Sequence, residues 1–317
     1  MTTVSGLGPW PGADPLEAQT TVLGELTSTP TGVTGLPFVV QLPGRGYGAE
    51  PTGRGAALLV DLPAELGPHG WKLTDRPGRD AARARAYLRE DLDALAVAAY
   101  GYEGRLLVPV TGPFTLAADL YLARGDRVLS DAGGVRELAE SLGAGLAEHL
   151  DAVRAAVPGA EPVVLLSEPR LSDVLLARVP DFTGRGTLRS VAGTVVTERL
   201  RTVVEAARAA DARGVVVHLG GAWTGVRPVV AAGADAIGLE VARVGGAGWQ
   251  RVGEAVEAGV ALWAGLAGLG IEREAGDVVG QADTLVGPWR ALGLAARGLA
   301  EVVVMADGAG AGGAPRT

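Results

Sequence analysis

The sequence predicts an α/β protein built as a (β/α)8 TIM barrel that lacks its last outer helix. Three observations carry this. Short continuous apolar runs alternate with longer amphipathic runs, the pattern of buried parallel strands joined by crossover helices. The opening GLGPWPG (residues 6–12) is rich in glycine but lacks the GxGxxG spacing of a doubly wound sheet, and its two prolines remove N–H donors that a phosphate loop would use. The chain has 317 residues, 48% of them hydrophobic, which suits one large barrel spanning 1–317.

The elements follow in order. TVSGLG at 3–8 reads as the first strand. Asp14-Pro15 opens a helix over 14–26, with Asp14 as N-cap and Pro15 at the first helical position. Residues 27–55 are rich in Gly, Pro and Thr and read as a loop over the barrel mouth. AALLVDL at 56–62 reads as a strand or as a helix start. Residues 79–99 carry Ala, Leu and Tyr at helical spacing. Further strands are expected at LLVPV (106–110), PVVLL (162–166), GVVVHL (214–219), DAIGLE (235–240), VALWAGL (260–266) and EVVVMA (301–306). Helices are expected at 135–157, 194–212, 247–258 and 281–298. The stretch at about 307–317 has no helical pattern and reads as a flexible tail. Without an eighth helix, an apolar face would remain that a second copy or a catalytic paralogue would cover.

Composition narrows the function. The net charge of −8 is the wrong sign for a general nucleic-acid binder. The chain has no cysteine, which excludes disulfides, a thiolate nucleophile and cysteine-ligated metal. Lys72 is the only lysine, so a Schiff base would have to form there. No apolar run reaches 18 residues and the N-terminus has no signal-peptide pattern, so a cytoplasmic protein with no membrane role is expected.

Barrel chemistry sits at the C-terminal ends of the strands. His218 ends GVVVHL and Glu240 ends DAIGLE, so an imidazole and a carboxylate would neighbour each other across the mouth as catalytic groups, a pair that could orient a base or hold a metal, with His218 also open as a substrate contact. Against this stand a hydrogen-bonded rim histidine and an ion pair of Glu240 with Arg243. Glu168, in LLSEP, is a third catalytic candidate, or an ion-pair partner of Arg170 or another rim arginine. Substrate contacts are expected from Thr111 and Phe114 of TGPFT, with Phe114 stacking on a flat ring, and from Ser167, Trp10, Trp223 and Asp307. A plain strand-to-helix turn capped by Thr115 would also explain TGPFT.

These segments, in this order, resemble the cobalamin-independent methionine synthase family, in particular its catalytic barrel and short single-barrel relatives. Uroporphyrinogen decarboxylase-like barrels share the architecture. GLGPWPGADP is similar to the family's G-x-G-S-x-P-G-T-D-P opening, VPVTGPFTLA to its GP-x-T-L segment, and LLSEP to its I-D-E-P segment. VVVHLGG is similar to its strand ending in His-x-Cys, GADAIGLE to its strand ending in an acid, and EVVVMADGAGAGG to its last strand, which runs into Cys-Gly. The resemblance implies methyl transfer from 5-methyltetrahydrofolate to a homocysteine thiol held on zinc by His, Cys, Glu and Cys. His218 and Glu240 match two of these ligands. Gly220 and Gly308 stand where the cysteines fall, with Asp307 the one neighbour able to substitute. Ser167 replaces the aspartate that helps hold the substrate amino group, and Pro9 replaces the opening serine. No metal is therefore assigned and no cofactor is required, a folate-type methyl donor being what the resemblance would add. The expected function is a diverged, metal-independent enzyme of alkyl-transfer or lyase type acting on a small molecule at the barrel mouth. The alternative is a non-catalytic pseudoenzyme or partner subunit.

Overall fold

A computed structural model describes residues 2–266 and 278–306 of the chain. In chain order the elements are β1 (Thr2–Ser5), α1 (Pro15–Thr27), β2 (Val33–Gly35), α2 (Pro51–Leu58), β3 (Ala64–Gly67), β4 (Gly70–Leu73), α3 (Arg79–Ala98), β5 (Gly104–Thr111), α4 (Pro113–Asp119), α5 (Ala132–Ala156), β6 (Ala160–Ser167), α6 (Leu171–Leu175), α7 (Gly193–Ala209), β7 (Gly214–His218), α8 (Val226–Ala231), β8 (Ala236–Glu240), α9 (Gly246–Glu257), β9 (Ala261–Leu266), α10 (Val278–Ala291) and β10 (Val303–Ala306). Eight strands form one parallel sheet in the order β2-β1-β10-β9-β8-β7-β6-β5, while β3 and β4 pair apart as an antiparallel hairpin. The eight strands follow each other around the sheet in sequence order, as in a TIM-type barrel.

The ends of the sheet meet through the residues after β2. Leu36 donates to the Val4 carbonyl, Val39 donates to Leu107 at 2.9 Å, and Leu107 donates to Pro37 at 2.8 Å. Pro37 is tolerated because the ladder uses only its carbonyl. The buried amide of Gln19 on α1 serves the same segment, donating to Phe38 O at 2.9 Å and accepting from Val40 N at 3.0 Å. Part of 27–55, expected as a mouth loop, is therefore barrel wall. Gly35 and Pro37 interrupt its apolar run and hide the strand signal.

Strand residues alternate between two buried clusters. Leu107, Leu165, Val216, Ala236, Trp263, Val303 and Met305 fill the inside with Phe38 and Val40. Leu106, Val108, Val164, Val215, Val217, Ile237 and Leu262 face outward beneath the helices. Both faces are covered, so the runs read as continuously apolar, as expected of parallel strands.

AALLVDL at 56–62 is not a strand. Glu50 caps α2 by accepting from Thr52 N and Gly53 N, and Pro51 occupies its first turn. Asp14 caps α1 as expected, accepting from Leu16 N and Glu17 N. The expected helix 281–298 ends earlier, at Ala291, and a 3-10 turn spans Ala296–Glu301. Asp91 of α3 receives both Arg45 and Arg54, a buried ionic group that pins residues 43–58 to that helix. The expected tail at 307–317, and with it the expected loss of a final helix, lies outside the described residues. Among the described residues no helix is long and apolar enough to cross a membrane.

Candidate active site at the barrel mouth

The strand registers set the site. Thr111 pairs with Ser167, Ser167 with His218, and His218 with Gly238, so these residues lie side by side at the C-terminal end of the sheet. His218 and Glu240 share the inward parity of Val216 and Ala236. Glu240 stands one layer above Gly238, and its N–H donates to Gly220 O at 2.9 Å. The expected imidazole–carboxylate neighbours thus occur on adjacent strands. Gly238 makes room for the imidazole, since a Cβ there would fall 2.5 Å from His218 Cδ2. Trp263 pairs with Gly238 on the far side and belongs to the interior cluster.

The electrostatics of His218 follow from burial. Its ring is buried, and loss of solvent pushes its pKa down to about 4, so the imidazole is neutral near pH 7. Gly220 N donates to its Nδ1 at 3.3 Å, which places the remaining proton on Nε2. That Nε2 has no partner among the described residues. An unpaired buried donor costs roughly 1–3 kcal/mol, which an acceptor supplied by a ligand would recover.

Glu240 is paired with Arg243 at 2.8 Å, so the alternative reading of this carboxylate is also realised. The guanidinium lies over Gly221, where a Cβ would be 2.5 Å from Arg243 Nε. Gly220 has φ +62°, and its Cβ would lie 3.9 Å from Glu240 Oε1. Position 220 therefore faces the carboxylate but offers no donor atom. Among the described residues no three His, Cys, Asp or Glu side chains gather as metal ligands, and Asp307 and Gly308 lie outside them. A thiol-binding zinc needs three protein ligands beside the thiol, and the described residues do not supply them.

The Glu168 carboxylate is turned toward the start of α4. It is fully buried and accepts from Phe114 N at 2.8 Å, Thr115 N at 2.7 Å and Thr115 Oγ1 at 2.7 Å. It caps α4 from a neighbouring strand end, where Gly112 supplies no side chain. A Cβ at Gly112 would sit 2.5 Å from this carboxyl group. Burial raises the pKa of Glu168 to about 7 against the pull of its three hydrogen bonds. Its own N–H donates to His218 O at 2.7 Å, so Glu168 is a positioning residue that ties α4 to the end of β7. The expected ion pair with Arg170 is not formed. Arg170 lies 3.6 Å from Asp119 and 3.5 Å from Asp173 instead.

The remaining expected contacts divide. Phe114 is buried in the outer cluster beneath the helices and cannot stack on a ligand at the mouth. Thr111 donates its hydroxyl to Pro51 O at 2.8 Å, joining α2 to β5. Trp223 packs on α9, where a Cβ at Gly248 would fall 2.6 Å from its Cδ1. Trp10 packs against Phe38 with ring centroids 6.3 Å apart, at the edge of the interior cluster. Ser167 lies beside His218 and is partly exposed. Asp307 lies outside the described residues. Sequence reasoning missed Gly238, whose signal is a glycine two residues before a strand-end acid.

Neither a family model nor a curated protein matches the chain. Among solved structures it is similar to a B12-independent methionine synthase from Shewanella sp. W3-18-1 in complex with selenomethionine, at 13% identity and a TM-score of 0.41 over 75% of this chain. It spans 62% of that chain's length. It is also similar to the carboxyl transferase domain of Rhizobium etli pyruvate carboxylase, at 15% identity and a TM-score of 0.26, covering 63% of this chain and 33% of that one.

Proposed function

We propose that this chain is an enzyme acting on a small polar molecule at the barrel mouth by metal-independent acid–base chemistry, of lyase or alkyl-transfer type. The observation that carries the reading is the buried, unpartnered Nε2–H of a neutral His218. Such a group donates to a carbonyl or carboxylate oxygen, and the bond strengthens as negative charge develops there. Glu240, held by Arg243, is the carboxylate on the neighbouring strand able to accept a proton from substrate carbon or from a nucleophile. In the alkyl-transfer version a folate-type methyl donor is the donor the sequence resemblance suggests.

The test is a thermal-shift screen of small carboxylates, carbonyl compounds and 5-methyltetrahydrofolate on wild type and His218→Phe. A ligand at 100 times its Kd stabilises by about 2.7 kcal/mol, a shift of several degrees for a chain of this size. The expected result is a ligand that shifts wild type and leaves His218→Phe unmoved, followed by turnover of that ligand. A shift equal in both proteins contradicts the role of His218.

One observation favours a second reading, a non-catalytic partner subunit. Glu168 is consumed in capping α4 and Glu240 is paired with Arg243, which leaves His218 without a free acidic companion. Binding without turnover in the same screen supports that reading.

A further inference from the structure

We propose that the outer face of α3 is a dimer interface, its partner a second copy of this chain packed antiparallel about a two-fold axis. Between α3 and α5 runs an open groove of about 540 Å³, floored by Ala86 and Ala96 of α3 and Ala152, Ala155 and Ala156 of α5. Small side chains on both walls let another helix approach closely. Beside the groove, Val97 is 64% exposed and Tyr100 is 93% exposed, large apolar groups with nothing packed on them among the described residues.

The charge order names the occupant. Residues 82, 86, 89, 93 and 96 recur at three- and four-residue steps on one outward face of α3, and residue 100 follows in the turn just past its end. Along that face they read Ala, Ala, Arg, Asp, Ala, Tyr. Arg89 and Asp93 are exposed and form no ion pair within the chain among the described residues. The order is self-complementary. With an antiparallel copy crossing level with residue 91, Arg89 meets Asp93 of the second copy, Ala86 meets its Ala96, and Ala82 meets its Tyr100. Each contact occurs twice by symmetry, as an isologous interface requires. The 20-residue helix provides a seam about 30 Å long.

Sedimentation equilibrium of the full chain tests this. Wild type is expected at twice the chain mass at micromolar concentration. Arg89→Asp and Asp93→Arg each place like charges together in both symmetry-related contacts beside the two-fold axis and are expected to weaken dimerisation at least tenfold. The double swap Arg89→Asp/Asp93→Arg restores opposite charges and is expected to restore the dimer. Both positions are exposed, and circular dichroism checks that each variant is folded. A monomeric wild type, a dimer indifferent to either single reversal, or a double swap that stays monomeric overturns the proposal. Capture of a different protein by α3 with no self-association also overturns it.

Discussion

Glu168→Ala is expected to destabilise the protein by about 3–5 kcal/mol, measured by chemical denaturation. The substitution leaves Phe114 N, Thr115 N and Thr115 Oγ1 unpaired in a site without solvent. Each such group costs roughly 1–3 kcal/mol, and the cavity left by the side chain adds to this. The effect should reach the mouth, because the same residue's N–H holds the carbonyl of His218. A loss below about 1 kcal/mol would show that α4 does not depend on this cap. The group also carries a pH signature. Its folded pKa of about 7 lies above its ordinary 4.5. Between those values the folded protein keeps a proton that the unfolded chain releases. Stability from this group is therefore present below about pH 4.5 and is lost as pH rises toward about 7, a change on the order of 3 kcal/mol. His149 and His218 act oppositely. Each is pushed down to about 4, so their contribution is gained as pH rises from about 4 to about 6.5. The difference between wild type and Glu168→Gln isolates the Glu168 slope, and parallel pH profiles would contradict it.

Gly238→Ala is expected to leave the barrel folded and to abolish the site. Its Cβ would lie 2.5 Å from His218 Cδ2 and 3.1 Å from His218 Cα and Cβ, so the imidazole has to leave its place across β8. Overpacking of this kind costs roughly 1–3 kcal/mol. Displacing a reacting group by about 1 Å costs on the order of 100-fold in rate. The checks are the melting midpoint and the ligand-dependent shift. The midpoint should fall by several degrees and the shift should vanish. A variant that keeps full ligand response would show that the ring does not act from this position.

Much of the barrel is legible in the sequence because its strands are buried on both faces. GVVVHL, DAIGLE and LLVPV announce themselves as apolar runs, and their last residues fall on the mouth. The wall segment after β2 was harder to read. Its strand character depends on Gln19, a residue of α1, which satisfies the peptide groups of Phe38 and Val40. That is tertiary information, and no local pattern encodes it. The same holds for Glu168. A carboxylate at a strand end reads as catalytic until the structure shows α4 presenting three donors to it. His218 and Glu240 were legible as neighbours because parallel register places successive strand ends together. The proton position on His218 was not legible, since it depends on the Gly220 N–H folding back on Nδ1 at a left-handed glycine. The burial of Phe114 is not legible either, because TGPFT fixes a turn without fixing which way the ring points.

The most direct test of this account is nitrogen NMR of histidine-labelled protein between about pH 4 and about pH 8. The chain has three histidines, so single substitutions of His69 and His149 assign His218. The expected result is a neutral His218 with its proton on Nε2 at every pH above about 5, and an Nε2 signal that moves when a ligand from the screen binds. A His218 that titrates near its ordinary 6.5, or one that carries its proton on Nδ1, would contradict it.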